Sequence, residues 1–203
     1  MIEYSIARIV RVLHALDDPP LGPGWNRADI ADLLGATPRA EAAVLVGLIE
    51  RDGELTVLLT QRTEHLSHHA GQISFPGGRI EASDAGPSAA AIRETHEEVG
   101  IESCWIEPLG FLDPLETITH FRVVPVVARL RPGFTVQPDG NEVADVFEAP
   151  LSVFLDESQA HLREVEFCGR MRTIHEFDVE GRRVWGATAA MLINLRSRLK
   201  LLA

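Results

Sequence analysis

The apolar positions of the chain fall into short runs that predict strands. Residues 42–49, AAVLVGLI, form a continuous apolar run that is typical of a buried strand. RDGE follows as a turn and LTVLLT as a second run, so this part of the chain predicts a β-hairpin. Two further strand-like runs occupy residues 104–112 and 121–130. Pro125 within the second run predicts an edge strand or a bulge, because proline has no N–H for a sheet ladder.

Other stretches have the spacing of helices. Residues 2–16 predict an amphipathic helix, and the Pro- and Gly-rich residues 17–25 predict a loop. Asn26 suits the N-cap of a short helix that would end near Leu34. A terminal helix is predicted from Trp185 onward, and its apolar side would carry Met191, Leu192, Leu195, Leu199 and Leu202.

The remaining segments predict shorter elements. Residues 131–142 are a Pro- and Gly-rich loop, and VADVFEAPL after it predicts a short strand followed by the start of a helix. Residues 163–185 alternate weakly and predict a hairpin around Glu180-Gly181. Strands and helices interleave without a regular βαβ rhythm. This order favours an α/β fold in which a mixed sheet lies between helical layers.

Residues 77–101 contain the strongest candidate for chemistry. Their second half predicts a helix that begins at Pro87 and ends at Gly100. On a helical wheel three glutamates cluster on one side, while His96 falls on the apolar side and is expected to pack in the core. Carboxylates at this spacing repel one another, and a divalent cation with oxygen ligands would offset the repulsion. A solvated acidic face is the alternative. The three glutamates are Glu94, Glu97 and Glu98.

Composition narrows the classes of function. The 203 residues fit one domain, and the net charge of −11 argues against nucleic acid or an anionic membrane as the main partner. Cys104 and Cys168 form no disulfide framework, which favours a reducing compartment. The sequence has no apolar run long enough for a membrane span and no secretion signal at its N-terminus, so a cytoplasmic location is expected.

The glutamate-bearing stretch resembles the Nudix box, in which a glycine and an acidic residue precede R-E-x-x-x-E-E-x-G. Two features depart from the box: the acidic residue is an aspartate, and one extra residue separates the glycine from the arginine. The extra residue also occurs in the subgroup that resembles coenzyme A pyrophosphatases. The matching residues are Gly78, Asp84, Arg93, Glu94, Glu97, Glu98 and Gly100.

This resemblance implies the fold and the division of the chain. The Nudix fold is an α/β/α sandwich with a mixed β-sheet between helices, and the resemblance covers roughly residues 40–200. We therefore expect a Nudix hydrolase domain at residues 37–203, with residues 1–36 as an N-terminal helical extension.

The resemblance also implies the chemistry. Mg²⁺ or Mn²⁺ would be held by the three glutamates and the backbone carbonyl of Gly77, and would serve hydrolysis of a phosphoanhydride. Arg93 would orient a glutamate, and Asp84 would cap or orient the loop. The general base would be Glu94 or Glu142, since Nudix enzymes take it from the box helix or from a later loop. The expected catalytic residues are thus Arg93, Glu94, Glu98 and Glu142.

A second stretch, residues 58–78, resembles the motif of the coenzyme A subgroup: L-L-T-x-R, then H-x-G-Q, then F-P-G-G. The resemblance implies that Arg62 contacts a phosphate and that His69 or Gln72 donates hydrogen bonds to the substrate. Gly78 is also expected to bind the substrate. Thr63 and Ser67 depart from the motif, and Ser67 stands where the subgroup has a basic residue. The matching residues are Leu58, Leu59, Thr60, Arg62, His69, Gly71, Gln72, Phe75, Pro76, Gly77 and Gly78.

Several alternatives stay open at this point. His65, His68 and His69 have the spacing of a zinc site, although no cysteine or further carboxylate lies nearby. Trp185-Gly186-Ala187-Thr188 is similar to a C-terminal signature of the same subgroup and is expected to pack the last helix.

The expected function is metal-dependent hydrolysis of the diphosphate of coenzyme A or acyl-coenzyme A. Another nucleoside diphosphate derivative, such as ADP-ribose or NADH, is an alternative substrate. A nucleotide-sensing module without catalysis is disfavoured because the arginine and all three glutamates of the box are present. A carboxylate-bridged iron protein is disfavoured because no Glu-x-x-His motif lies on a second helix. The expected partner is a small nucleotide, with no nucleic acid and no membrane, and a homo-oligomer is possible.

Overall fold

The computed structural model describes residues 4–35, 38–64 and 70–202. Ser67, His69 and the histidines of the zinc alternative lie outside the described residues. The elements follow the chain in the order α1 (Ile6–Val10), β1 (Ala40–Arg51), β2 (Glu54–Arg62), β3 (Ile73–Ser74), β4 (Gly77–Arg79), α2 (Pro87–Val99), β5 (Ile106–Phe111), β6 (Leu115–Glu116), β7 (Phe121–Leu130), β8 (Val143–Pro150), α3 (Leu151–Leu155), β9 (His161–Phe167), β10 (Arg170–Val179), β11 (Arg182–Trp185) and α4 (Gly186–Lys200).

The main sheet is mixed. Its central path runs β3-β2-β1-β7-β5, and β8, β4 and β6 pair with β2, β1 and β7 respectively. β1 and β7 run parallel, whereas the other pairs described are antiparallel. The predicted hairpin is the β1–β2 pair, in which Leu48 lies opposite Val57.

The two faces of this sheet pack against different helices. Alternate β1 side chains such as Ala43 and Leu45 join Ala90 and Val99 of α2 in one buried cluster. On the other face, Val46 and Leu48 of β1 join the apolar side chains of α3 and α4 in a second cluster. Period-two alternation in a strand that is buried on both faces explains the continuous apolar run in the sequence. The predicted α/β/α sandwich is confirmed.

The edge position predicted for Pro125 is wrong, because β7 is an inner strand between β1 and β5. On one side of β7, the antiparallel partner changes from β6, which pairs with Val123, to β5, which pairs with Val126. Pro125 lies at this change of partner, and its carbonyl accepts a hydrogen bond from Leu112 N at 3.0 Å. Proline is tolerated there because the ladder is interrupted.

The N-terminal helices differ from the prediction. α1 is only five residues long, and the chain then pairs with β5 through His14 and Phe111. Residues 25–33 form turns in place of the helix expected after Asn26. The Asn26 side chain donates to Glu116 O and accepts from Glu116 N, each at 2.9 Å, so it holds β6 instead of capping a helix.

A second sheet of three strands, in the order β11-β10-β9, follows α3. The hairpin predicted at Glu180-Gly181 joins β10 to β11, and a further hairpin at Cys168-Gly169 joins β9 to β10. The terminal helix α4 is confirmed from Gly186. No helix of the described residues is long and apolar enough to cross a membrane.

Candidate active site

Helix α2 carries the predicted catalytic glutamates. It begins at Pro87, and Gly100 ends it in the left-handed conformation with a φ of 71°, as predicted. Glu98 is only 7% exposed and lies beside β4, so it does not belong to a solvated acidic face. His96 is exposed, and its assignment to the core is therefore wrong. The buried residues of α2 are Ala90, Ala91, Thr95, Glu98 and Val99, and His96 lies outside this face.

Two glycines of β4 bring backbone against this helix. Gly77 and Gly78 pair with Val44 and Ala43 of β1. A Cβ at Gly77 would lie 2.4 Å from Ala43 O, and its φ of 153° also disfavours other residues. A Cβ at Gly78 would lie 2.4 Å from the carboxylate of Glu94. The glycine pair is thus required for the close approach of β4 to β1 and to the glutamate side chains.

Arg93 is the centre of an ion-pair network. Its Nη1 donates to Glu94 Oε1 and to Glu97 Oε2, each at 3.0 Å. Its Nε and Nη2 bind the two oxygens of Asp84 at 3.1 and 3.0 Å, and Nη2 also donates to Arg79 O. This guanidinium therefore partly relieves the repulsion between the glutamates, a role that the sequence predicted for a divalent cation alone.

Asp84 fixes the loop before the helix. Its Oδ2 accepts a hydrogen bond from Glu81 N at 2.8 Å while the same carboxylate holds Arg93. The hydrogen bonds from Arg93 and then from Glu81 N lower the pKa of Asp84 below its ordinary value. This geometry agrees with the expected orienting role of Asp84 and places it away from a ligand role.

Glu98 has an unusual environment for a carboxylate. Burial raises its pKa to about 7, although a hydrogen bond from Gly77 N and the charge of Arg62 act in the opposite direction. The hydrogen bond from Gly77 N to Glu98 Oε2 is long, at 3.3 Å. Burial also raises the pKa of Glu94, and Arg93 opposes that shift. Negative charge on Glu142 contributes to raising the pKa of both glutamates, so Glu142 is electrostatically coupled to them.

The end of β2 brings the other predicted residues to the same region. Arg62 N donates to Gln72 O at 2.9 Å, and Thr63 N donates to Glu142 O at 3.0 Å. These contacts fix Gln72 and Glu142 on either side of the strand end, and the charge of Arg62 acts there to lower the pKa of Glu98. The Nε of Arg62 is buried and has no hydrogen-bond partner among the described residues. Glu142 itself is exposed.

The donors at this site fit a divalent cation. In the described part of the chain, no three acidic, histidine or cysteine side chains converge as a ready-made metal centre. Glu94 and Glu97 instead contact Arg93, while Glu98 contacts Gly77. The donors are nevertheless carboxylate oxygens, the type that Mg²⁺ and Mn²⁺ prefer. Among the described residues, the buried Glu98 carboxylate accepts only the long hydrogen bond from Gly77 N, so it has oxygen lone pairs for a cation.

Two features of the site escaped sequence reasoning. The backbone carbonyl of Arg79 accepts a hydrogen bond from Arg93, and Glu98 is buried against β4. A helical wheel places Glu98 with the other glutamates but does not show which strand covers it. The paired glycines at Gly77 and Gly78 were the available signal, because they indicate that backbone passes close to another group at that point.

Comparison with known proteins agrees with this geometry. Residues 38–176, more than half of the chain, match the model of the NUDIX domain. A protein named uncharacterized Nudix hydrolase NudL from Enterobacter sp. (strain 638) is 39% identical over 77% of this chain and 81% of its own length. Its counterpart from Citrobacter koseri is 40% identical with the same coverage. The chain belongs to the Nudix hydrolase family.

A solved structure supports the fold independently. A MutT/nudix family protein from Enterococcus faecalis superimposes with a TM-score of 0.53 at 18% identity, covering 82% of this chain and 64% of that one. The prediction that the chain is a Nudix hydrolase is confirmed. Nudix hydrolases generally use divalent metal cations and act on small nucleotide substrates, so the coarser predictions of cofactor and partner are confirmed as well.

Proposed function

We propose that the protein is a Mg²⁺- or Mn²⁺-dependent pyrophosphatase that hydrolyses the diphosphate of coenzyme A or acyl-coenzyme A. The observation that carries the chemistry is the buried Glu98 carboxylate beside Gly77, within a network organised by Arg93. The choice of coenzyme A rests on the motif in residues 58–78, where Arg62 and Gln72 are linked through their backbone next to Glu98.

We assign the following roles within this proposal. Glu94, Glu97 and Glu98, with the carbonyl of Gly77, would hold the cation, which supplies charge neutralisation and an activated water when it is bound. Arg93 holds Glu94 and Glu97 in place and is itself anchored by Asp84. Arg62 has a buried donor for a phosphate oxygen. Glu142 is the candidate base from the loop, and Glu94 is the candidate from the helix.

Hydrolysis would add water across the diphosphate of coenzyme A. One product would be 4′-phosphopantetheine and the other adenosine 3′,5′-bisphosphate. The proposal is tested by incubating the protein with coenzyme A, acetyl-coenzyme A, ADP-ribose and NADH, each with Mg²⁺, with Mn²⁺ or with excess chelator, and identifying products by mass. Cleavage of coenzyme A that requires the cation supports the proposal. Cleavage of ADP-ribose or NADH without cleavage of coenzyme A would contradict the choice of substrate and support only hydrolysis of a nucleoside diphosphate derivative.

A further inference from the structure

A cavity lies beside the end of β2. Its volume of about 380 Å³ falls within the range of roughly 300–1,000 Å³ that is common for small-molecule sites. The end of β2, the start of β3 and the segment just before β3 form one wall. β11 and the turn before it form the other wall. The side chains used below are Gln61, Gln72 and Ile73 on the first wall and Arg182, Arg183 and Trp185 on the second.

Arg183 and Trp185 form a stacked pair at this cavity. The guanidinium carbon of Arg183 lies 4.8 Å from the centroid of the Trp185 ring. Arg183 Nε donates to Glu176 Oε2 at 2.5 Å, and the described residues offer no acceptor to its two Nη groups. A guanidinium held over an indole presents a cationic surface, on which a nucleobase can stack or a phosphate can bind.

Arg182 adds a second fixed cation. Its guanidinium lies 4.1 Å from the centroid of the Phe147 ring, and its Nη1 is 2.8 Å from Asp145 Oδ2. These contacts hold the guanidinium in place at the wall of the cavity. Two ordered arginines and an indole together suit a ligand that is both planar and anionic, and they offer little to an uncharged flexible arm.

The cavity is within reach of the carboxylate network. Gln61 and Arg62 are neighbours at the end of β2, where the register against β8 shifts between them. The charge of Arg62 lowers the pKa of Glu98, while Gln61 lines the cavity. The cavity and the carboxylate network therefore meet at adjacent residues of one strand end. Gln72 lines the cavity and also fixes Arg62 through its carbonyl, so it connects the two sites directly.

We propose that this cavity is the subsite for the phosphorylated adenine nucleoside half of the substrate. The base stacks on the Arg183–Trp185 pair, and the phosphate on the ribose binds the arginines. The inference rests on the proposed function for the identity of the substrate. It also supplies a cation for the 3′-phosphate of coenzyme A in a chain that has Ser67 where the subgroup motif has a basic residue.

The test measures binding in the absence of catalysis. Adenosine 3′,5′-bisphosphate and adenosine 5′-monophosphate are titrated into the protein in excess chelator, and heat is recorded. Wild type is expected to bind the bisphosphate more tightly. Arg183→Ala is expected to weaken bisphosphate binding about tenfold, the loss of one stacking and charge contact, and Arg183→Lys should lose less. Arg163→Ala is the matched control, because Arg163 lies 3.9 Å from the same Glu176 but does not line the cavity.

Two results would overturn the subsite. One is wild-type protein that fails to bind the bisphosphate or binds both nucleotides equally. The other is equal binding by Arg183→Ala and Arg163→Ala.

Kinetics with coenzyme A separate the subsite from the proposed function. The subsite predicts that Arg183→Ala raises KM about tenfold and changes kcat little. Cleavage of coenzyme A with an unchanged KM in this variant would overturn the subsite and leave the function standing. If the protein binds the bisphosphate through Arg183 but does not cleave coenzyme A, the subsite stands and the proposed function is overturned.

Discussion

Glu98 is the residue on which the chemistry of the site depends most. It is buried, it accepts one long hydrogen bond from Gly77 N, and its pKa is about 7. Near neutral pH the proton and a cation therefore compete for the same carboxylate. Glu97, in contrast, is exposed and bound to Arg93, so in the absence of metal its removal changes a partly exposed ion pair. Two glutamates of one helix thus have different properties because different elements cover them.

The raised pKa of Glu98 predicts how stability depends on pH without metal. The folded protein holds this proton more tightly than the unfolded chain, so the contribution to stability is complete below the ordinary pKa of 4.5 and is lost as the pH rises towards 7. Glu98→Gln should reduce the dependence of the unfolding free energy on pH. A smaller dependence should remain in this variant, because the pKa of Glu94 is also raised. Urea unfolding in chelator at pH 5 and pH 8 measures the effect.

The control for that experiment is Glu97→Gln, which should keep the slope of the wild type. An identical pH dependence in wild type and Glu98→Gln would show that Glu98 titrates in the ordinary range of a glutamate. Metal affinity gives the complementary result: it should fall about tenfold for each pH unit below 7, because one proton must leave before the cation binds.

The two glycines of β4 predict different defects. Gly78→Ala places its Cβ against the flexible end of Glu94, so the glutamate should move while the fold survives. Activity should fall by at least about 100-fold, the effect of misplacing a catalytic group. Gly77→Ala places its Cβ against the backbone of β1 and should cost about 1–3 kcal/mol of unfolding free energy. Thermal unfolding and turnover of both variants separate the two effects, and a Gly78→Ala enzyme with normal turnover would contradict this account.

Glu142→Gln distinguishes a general base from a neighbouring charge. If Glu142 is the base, kcat should fall by about 10²–10⁴-fold while metal affinity changes little. The pKa of Glu98 should also fall slightly, since the charge of Glu142 helps to raise it. Steady-state rates and metal titrations of the variant check both effects. Unchanged turnover would assign the role to Glu94 or to the metal-bound water alone.

At the scale of elements, the N-terminal segment is attached to the sheet by buried ionic contacts. Glu116 of β6 accepts hydrogen bonds from Gly24 N at 3.0 Å and from Arg27 Nη1 at 2.8 Å, and Arg39 Nε lies 3.5 Å away. Burial acts to raise the pKa of Glu116, but these contacts outweigh it and hold the pKa below its ordinary value. The segment is therefore part of the folded unit, whereas the boundary at residue 36 stays a prediction.

Removing the charge of Glu116 should loosen this attachment. In Glu116→Gln the amide cannot satisfy both arginines, so we expect a loss of about 1–3 kcal/mol of unfolding free energy. Glu50→Gln is the control, because Glu50 pairs with Arg129 at the surface and such a pair contributes about 0–1 kcal/mol. Urea unfolding curves of the two variants give the comparison. Equal losses would mean that the buried contacts contribute no more than a surface pair.

At the scale of the whole molecule, the sequence predicted those elements that depend mainly on residues of their own segment. The hairpin at residues 40–62, helix α2 and helix α4 follow from runs, caps and spacing in their own segments. The mixed sheet also followed from the order of the elements. The Arg93 network is local too, since most of its partners lie within one turn or one loop of the arginine.

Contacts between distant segments were not predictable in the same way. His96 is exposed and Glu98 buried because β4 covers one side of α2, and the sequence does not show which side that is. Asn26 does not cap a helix, because its side-chain amide binds β6, about ninety residues later: the amide nitrogen donates to Glu116 O and the amide oxygen accepts from Glu116 N. The cavity beside β11 likewise depends on how the second sheet meets the first.

The central claim is that Glu98 serves a metal-dependent cleavage of the coenzyme A diphosphate, and its most direct test compares Glu98→Gln with wild type. Release of 4′-phosphopantetheine is measured at saturating Mg²⁺ and pH 8, where the wild-type carboxylate is ionised. Turnover in Glu98→Gln is expected to fall by about 100-fold or more, the loss of one major electrostatic group, with the fold retained. Wild-type turnover in Glu98→Gln, or no release of 4′-phosphopantetheine by either protein, would contradict the claim.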